Sequence, residues 1–307
     1  MATKGPADHS AAWVEFWARN RGSGGDGGGC LPARWAGIES VQKVAWAEFA
    51  KDLPRKTRVL DLATGDGRVM RWLLQARRDL KPLGCDLADP LPDPPEGTKI
   101  RAGVAMEELP FGDQQFAASV SQFGFEYGDS AAAARELARV TRSGGLVALM
   151  THRKDGPILE HNLNRRAAID WVLHDQGLIE KAKGSLAMRN LGGGPVPPLI
   201  AQAPEQGAAK FGAQSAAWEI AEAIRRTLLM GARDDPRRVA ATLDEIARQA
   251  ANEIGRIASL EAACGTAASD AFEPALADAG LESVSTVPLS EADTQRAFAD
   301  MRIYRKL

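Results

Sequence analysis

The chain has 307 residues, 45% of them hydrophobic and 25% charged, with a formal net charge of −2. That balance suits a globular chain of one large domain or two small ones. It excludes the basic footprint of a protein built around DNA or RNA. Cys30, Cys85 and Cys264 are far apart with no CxxC pair, so neither a zinc site nor a redox pair is expected, and scattered thiols fit a reducing compartment. The opening MATKGPADHS lacks the apolar core of a signal peptide. No run approaches the roughly 18 apolar residues of a membrane span. The expectation is a cytoplasmic protein with no membrane or nucleic-acid partner.

In chain order, AAWVEFWARN predicts a short helix with Trp13, Phe16 and Trp17 on one side. RGSGGDGGGCLP follows at Arg21–Pro32, with glycine at six of twelve positions. It does not follow a sheet strand, so residues 22–29 read as a flexible linker between two helices. The sharper alternative is a gate, with Arg21 or Arg34 meeting a carboxylate. ARWAGIESVQKVAWAEFAKDL predicts a second helix, with Ile38, Val41, Ala45 and Phe49 near helical spacing. Five of the seven tryptophans precede residue 73. They are expected to pack this N-terminal helical cap, residues 1–56, onto the main domain. Some could instead line a pocket.

From Thr57 the pattern alternates. RVLDLA, KPLGCDL, KIRAGV, FAASVSQFG and GLVALMTH read as strands. VMRWLLQARR and SAAAARELARVTRSG read as helices, the second capped by Ser130. Such alternation implies an α/β fold: a Rossmann-like, doubly wound, mostly parallel sheet over residues 57–155. After His152 the alternation stops. Residues 156–268 read as a helical insertion, broken at Leu191–Gly207 by LGGGPVPPLIAQAPEQG, a mobile loop by composition. DDPRRVAATLDEIARQAANEIGRIASL is the clearest helix, capped by Asp235, with Pro236 in its first turn and Val239, Leu243 and Ile246 on its apolar face. FEPALADAG ends at Gly280, and LESVSTVPL and RAFADMRIYRKL return residues 269–307 to the sheet.

Ligands of an open parallel sheet bind outside the carboxyl ends of its strands. The residues at those ends are Asp61, Ala63, Thr64, Gly65, Asp66 and Gly67; Asp86 and Leu87; Ala105, Met106 and Glu107; Gln122 and Phe123; and His152. The fold gathers them along one edge. Gly65 and Gly67 allow a turn to pass close to a ligand, and the helix that follows offers free N–H groups to an anion. A nicotinamide dinucleotide site would need glycine where Met70 stands.

VLDLATGDG resembles the first motif of class I S-adenosylmethionine-dependent methyltransferases. LGCDLA, AMEELPFGDQQFAASVSQFGF and ARELARVTRSGGLVALMT resemble later segments of that family, in its order and spacing, over about Thr57–Thr151. The resemblance implies S-adenosyl-L-methionine as cofactor. Asp86 would accept the ribose hydroxyls. Ala105 and Met106 would pack on adenine or offer it backbone N–H groups. Gln122 and Phe123 would flank the methionine arm or the transferred methyl. Two positions depart from the family: Ala63 stands at a glycine position, and Val104 where an acid often binds the adenine amine. Either Glu107 substitutes for that acid, or backbone and water do.

The implied reaction is methyl transfer to a small-molecule or peptide acceptor, on oxygen or nitrogen, a carboxylate among the options. A second copy in a homodimer is admissible. The insertion would form a lid that excludes water. A base is needed only where the acceptor must lose a proton. His152 is the first candidate for it and Tyr127 the next, with Glu126 comparable. Arg153, Lys154, Arg165 and Arg166 read as a solvated basic face or, alternatively, as attraction for an anionic acceptor. No compact cluster suggests a metal. The alternative is a cofactor-binding regulatory or scaffold protein without turnover.

Overall fold

A computed structural model of the chain describes residues 7–19, 35–189, 195–291, 294 and 296–307. The glycine-rich stretch 22–29, with Arg21, Cys30 and Arg34, lies outside the described residues, as does the start of the 191–207 segment. In chain order the elements are α1 (Ala7–Arg19), α2 (Ala36–Lys51), β1 (Arg58–Leu62), α3 (Arg68–Ala76), β2 (Lys81–Cys85), β3 (Lys99–Arg101), β4 (Phe116–Gln122), α4 (Ser130–Val140) and β5 (Thr141–His152). Then come α5 (Pro157–Asp170), α6 (Leu178–Arg189), α7 (Pro198–Phe211), α8 (Ala216–Met230), α9 (Pro236–Ala267), α10 (Phe272–Asp278), β6 (Leu281–Ser290) and β7 (Ala297–Lys306).

The chain divides into two compact units, Met1–Leu159 with Ser259–Leu307, and Glu160–Ala258. The first holds a seven-stranded sheet in the order β3-β2-β1-β4-β5-β7-β6. The pairs from β3 to β5 are parallel, and β7 is antiparallel to both β5 and β6. This is the expected α/β, mostly parallel, Rossmann-like sheet. Strands covered on both faces read as continuous apolar runs, and in β1 Val59, Leu60 and Leu62 are fully buried. The amphipathic α3 packs Val69, Met70, Trp72 and Leu73 inward. Trp46 of α2 is fully buried and donates its indole N–H to Gln122 Oε1 at 2.6 Å, which fastens the N-terminal cap to the end of β4.

Three expectations change. The cap of α4 is Asp129, not Ser130: its carboxylate accepts from the N–H groups of Ala131 and Ala132 at 3.0 Å. A carboxylate one residue before the helix satisfies two orphan donors at once. Next, α4 ends at Val140 and β5 starts at Thr141 rather than after the Gly-Gly turn. Thr141 enters the sheet directly, paired with Phe116, and its buried hydroxyl bonds Ser119 Oγ at 2.8 Å. Finally, much of the stretch expected as a loop is helix α7, which starts with Pro198 at its first turn and carries Pro204 inside. Burial of Ile200, Ala203 and Gly207 holds it against the cost of that proline.

The second unit has no strand among its described residues. Its core includes Ile169, Trp171, Ile200, Ile224, Leu228 and Leu243. Arg165 there is ion-paired with Glu253 and, at 3.0 Å, with Glu219.

Arg139 is the main tie on the segment from Leu109 to Asp113, with Arg101 adding a bond to the Pro110 carbonyl at 3.2 Å. Arg139 donates to Glu136 (2.7 and 2.8 Å), to the carbonyls of Phe111 (2.7 Å) and Leu109 (3.0 Å), and to Asp113 (2.9 Å). Glu136 in turn accepts the Leu109 N–H at 2.6 Å. Charge-assisted bonds of this kind contribute about 1.5–3 kcal/mol each in the favourable case. Arg139→Ala is expected to cost about 2–3 kcal/mol of unfolding free energy, measured by urea denaturation.

Candidate cofactor and acceptor site

β1 lies between β2 and β4. From β1 the chain winds outward to β2 and β3, then crosses to β4 and β5 on the other side. That reversal makes a crevice at the carboxyl ends of β1 and β4. The turn after β1 rises into it. Ala63, Gly65 and Gly67 all have positive φ, of 52°, 54° and 71°, and Gly67 is the N-cap of α3 without a side-chain cap bond. Gly65 combines that conformation with close packing, because a Cβ there would lie 2.5 Å from the Trp17 ring.

Four hydrogen bonds fix the turn. Gly65 N–H donates to Asp86 Oδ2 at 2.9 Å, so the β1 turn is tied to the end of β2. Asp86 Oδ1 accepts the Ala88 N–H at 2.9 Å. Thr64 donates its N–H to the Cys85 carbonyl at 3.0 Å and its hydroxyl to Asp61 Oδ2 at 2.6 Å. Burial pushes the Asp61 carboxyl up to about 7, against the Thr64 hydrogen bond, and the charges of Asp66 and Asp86 add to the rise. Burial also raises Asp86, while the N–H groups of Ala88 and Gly65 pull it back.

The remaining residues of this edge differ in how committed they are. Asp66 is held by Arg68 in a two-pronged pair at 2.7 and 3.0 Å. Leu87 is 52% exposed, an apolar side chain presented at the end of β2. Met106 packs against the core, and Glu107 accepts the Asp129 N–H at 2.9 Å. Gln122 turns its amide to α2, where it meets Trp46 and, at 3.4 Å, Gln42.

On the other side of the crevice stand Phe123, Glu126, Tyr127 and His152. Phe123 has φ 54° and stacks on the His152 imidazole, with centroids 4.0 Å apart and planes 24° apart. Tyr127 presents its ring to His152 at 6.0 Å and to Trp13 at 5.7 Å. Glu126 Oε1 accepts the His152 backbone N–H at 3.0 Å and lies 2.9 Å from His152 Nδ1, within hydrogen-bond distance. The Glu126 side chain is fully buried, that of His152 nearly so. The turns after β1 and β4 touch: a Cβ on Gly124 would fall 2.4 Å from the Ala63 Cβ, so only glycine fits.

Sequence reasoning named Glu126 only as another candidate base. Its partnership with His152, 26 residues away, has no local signal. Trp17 against Gly65 was likewise invisible, because contact between a helix before the sheet and a turn within it depends on tertiary packing. Of the four basic residues considered for an anionic acceptor, Arg153 is paired with Asp155 and Asp300, and Arg165 with two glutamates. No metal-binding group of His, Cys, Asp and Glu occurs among the described residues. No helix among them is long and apolar enough to cross a membrane.

The donor set fits a nucleoside-bearing cofactor with a carboxylate arm. Asp86 is a half-buried acid at the end of β2, and each of its oxygens retains acceptor capacity beyond its one backbone N–H. At the start of α3, beside it, Asp66 takes only the Arg68 N–H, at 3.1 Å, and the helix's next orphan N–H groups have no side-chain cap from Gly67.

Several solved structures align with the chain. The YcgJ protein from Bacillus subtilis is 21% identical, with 41% of this chain and 57% of that chain covered and a TM-score of 0.34. A chain of the Haloferax volcanii complex between the Trm112 methyltransferase activator and a methyltransferase is 14% identical, with 99% of each chain covered and a TM-score of 0.43. Geranyl diphosphate C-methyltransferase from Streptomyces coelicolor A3(2), solved with Mg2+, geranyl diphosphate and S-adenosyl-L-homocysteine, is 12% identical, with 88% and 79% covered and a TM-score of 0.41. No curated protein matches significantly. Residues 60–149 match the family model described as a methyltransferase domain. That match spans the glycine turn, the strand-end acid and the central strands described above. Residues 60–149 thus match a methyltransferase domain, over the same stretch that carries the sequence resemblance.

Proposed function

We propose that this methyltransferase moves the methyl of S-adenosylmethionine to a small-molecule or peptide acceptor by O- or N-methylation. The observation that carries the reading is the Gly65–Asp86 hydrogen bond at the reversal point of the sheet, next to the turn that holds Phe123 and Tyr127 beside His152. In this reading Asp86 accepts the ribose hydroxyls. The Gly65–Gly67 turn and the start of α3 take the carboxylate end, and Leu87, Ala105 and Met106 border the adenine. Phe123 borders the methyl, and His152 faces the acceptor. The cofactor supplies an electrophilic methyl on a sulfonium. The chain aligns the nucleophile with it and keeps water away, which can be worth roughly 7–11 kcal/mol of barrier.

Asp86→Ala removes a charged acceptor, so the affinity for S-adenosylhomocysteine is expected to fall about 10- to 100-fold by titration calorimetry. Near-normal affinity would remove the ribose role. If the wild-type protein shows no binding of either S-adenosylmethionine or S-adenosylhomocysteine, the cofactor assignment is overturned. Binding without transfer to any acceptor would make the chain a non-catalytic binder.

The protonation of Asp61 yields a second expectation. Its folded carboxyl sits at about 7, above the unfolded value, so the folded chain holds that proton more tightly. The stabilisation is present below about pH 4 and is lost as pH rises through about 7. Between about pH 5 and 8 the ligand-free protein should lose on the order of 2 kcal/mol through this group. Asp61→Asn should flatten that slope, measured as the difference between the two proteins in denaturant titrations across that range.

A further inference from the structure

We infer that Glu126 is a positioning residue for methyl transfer to an acceptor hydroxyl of phenol type. It holds His152 with the proton on Nδ1, which leaves Nε2 to take the hydroxyl proton. The inference rests on the proposed reading of His152 as the base on the acceptor side.

The geometry is that of an orienting carboxylate. One oxygen of Glu126 accepts two bonds from the same residue, from the His152 main chain and from its ring. Together they fix the ring's position and its rotation. Nδ1 carries the proton because its partner is an acceptor, so the imidazole lone pair lies on Nε2, on the far side of the ring from Glu126. Nε2 has no protein partner among the described residues. Phe123 covers one face of the ring, and Tyr127, itself packed on Trp13, places its ring next to it.

The second oxygen of Glu126 indicates what the arrangement is for. Oε2 is buried and without a hydrogen-bond partner among the described residues. An anchor for the end of β5 would need only a neutral acceptor, whereas a buried carboxylate with half its capacity idle is costly. Its compensation comes when the adjacent ring becomes an imidazolium, which is the state proton transfer creates. Cys264 of α9 lies within electrostatic reach of Glu126. Its thiol is pushed up to about 12 by burial and then by the Glu126 charge, so it stays neutral.

The acceptor class follows from the base. Carboxylates and neutral amines attack a sulfonium without first losing a proton, so a base held this rigidly would be idle. A phenol ionises near pH 10 and needs one at neutral pH. The aromatic walls suit a ring beside that hydroxyl. In the step, a lone pair of the acceptor oxygen forms the O–CH3 bond as the C–S bond breaks. The electron pair of that bond goes to sulfur, which becomes a neutral thioether. The hydroxyl proton goes to His152 Nε2 and then to solvent.

The experiment compares wild type with Glu126→Gln and Glu126→Asp on ring-matched acceptors: phenol, aniline and benzoate forms of one aromatic scaffold, and a nitrophenol already ionised at the assay pH. Wild type is expected to methylate the phenol and the nitrophenolate. Glu126→Gln should lower kcat for the un-ionised phenol roughly 100-fold or more, with KM nearly unchanged and little loss on the nitrophenolate. Glu126→Asp should recover part of it. In the cofactor-free protein, the His152 ring 15N shifts should report an Nδ1–H tautomer in wild type. Equal losses on both phenols, an Nε2–H tautomer in wild type, or no hydroxyl methylated while S-adenosylhomocysteine binds would each overturn the inference. If Glu126→Gln does not fold, the wild-type tautomer and acceptor series still decide it. Absence of S-adenosylhomocysteine binding would instead overturn the function proposed above.

Discussion

Parallel strands that pair side by side must finish at the same edge, and that constraint governs this molecule. β1 is paired in parallel with β2 on one side and β4 on the other. Three turns therefore emerge within a few ångströms of each other, with α3 and α4 starting from the same edge. The contacts between the β1 turn and its neighbouring strands follow from that crowding. Gly65 reaches Asp86 because the turn after β1 rises directly beside the end of β2. Ser121 of β4 donates its hydroxyl to the Leu62 carbonyl and accepts the Phe125 N–H, so one buried side chain joins the two central strands to the turn carrying Glu126.

Three carboxyl groups along this edge occupy three different settings. Asp61 is buried beneath the turn with only a hydroxyl for company, and burial keeps its proton on near neutral pH. Asp86 is half-exposed and held by two backbone N–H groups, a setting that retains acceptor capacity toward the crevice. Glu126 is fully buried against an imidazole. Environments that differ this much divide roles among chemically similar groups. A carboxyl that sheds its proton reluctantly, one with acceptor capacity to spare and one buried against an imidazole need not interfere with each other.

The alternation of strands and helices was legible because each βα unit leaves two periodicities and a turn in the sequence. The strand-end residues from Asp61 to Phe123 followed from it. What was illegible shares one cause: competition between local signals of equal strength, or contact across long sequence separations. Asp129 and Ser130 are both good caps, and only the observed bonds to Ala131 and Ala132 decide between them. The proline- and glycine-rich run before Phe211 carries every mark of a loop, but its apolar residues are buried by helical neighbours within its own unit. The Glu126–His152 pair, and Gln122 turned toward Trp46, join residues 26 and 76 apart. No window of sequence contains both partners.

The contact between Ala63 and Gly124 has an implication for sequence change at this edge. Space between the two turns admits one methyl group, at present supplied by Ala63 from a left-handed conformation that disfavours a side chain. Gly124 has φ −139° and ψ −49°, outside the left-handed region. Ala63→Gly together with Gly124→Ala would place the methyl on the opposite turn, off the strained position, with the Ser121 hydroxyl 3.1 Å from it yielding by a few tenths of an ångström. Gly124→Ala alone would force two methyls into room for one. The two sites are therefore coupled in what they can tolerate: the order in which such changes arise matters, and the glycine has to appear at 63 first.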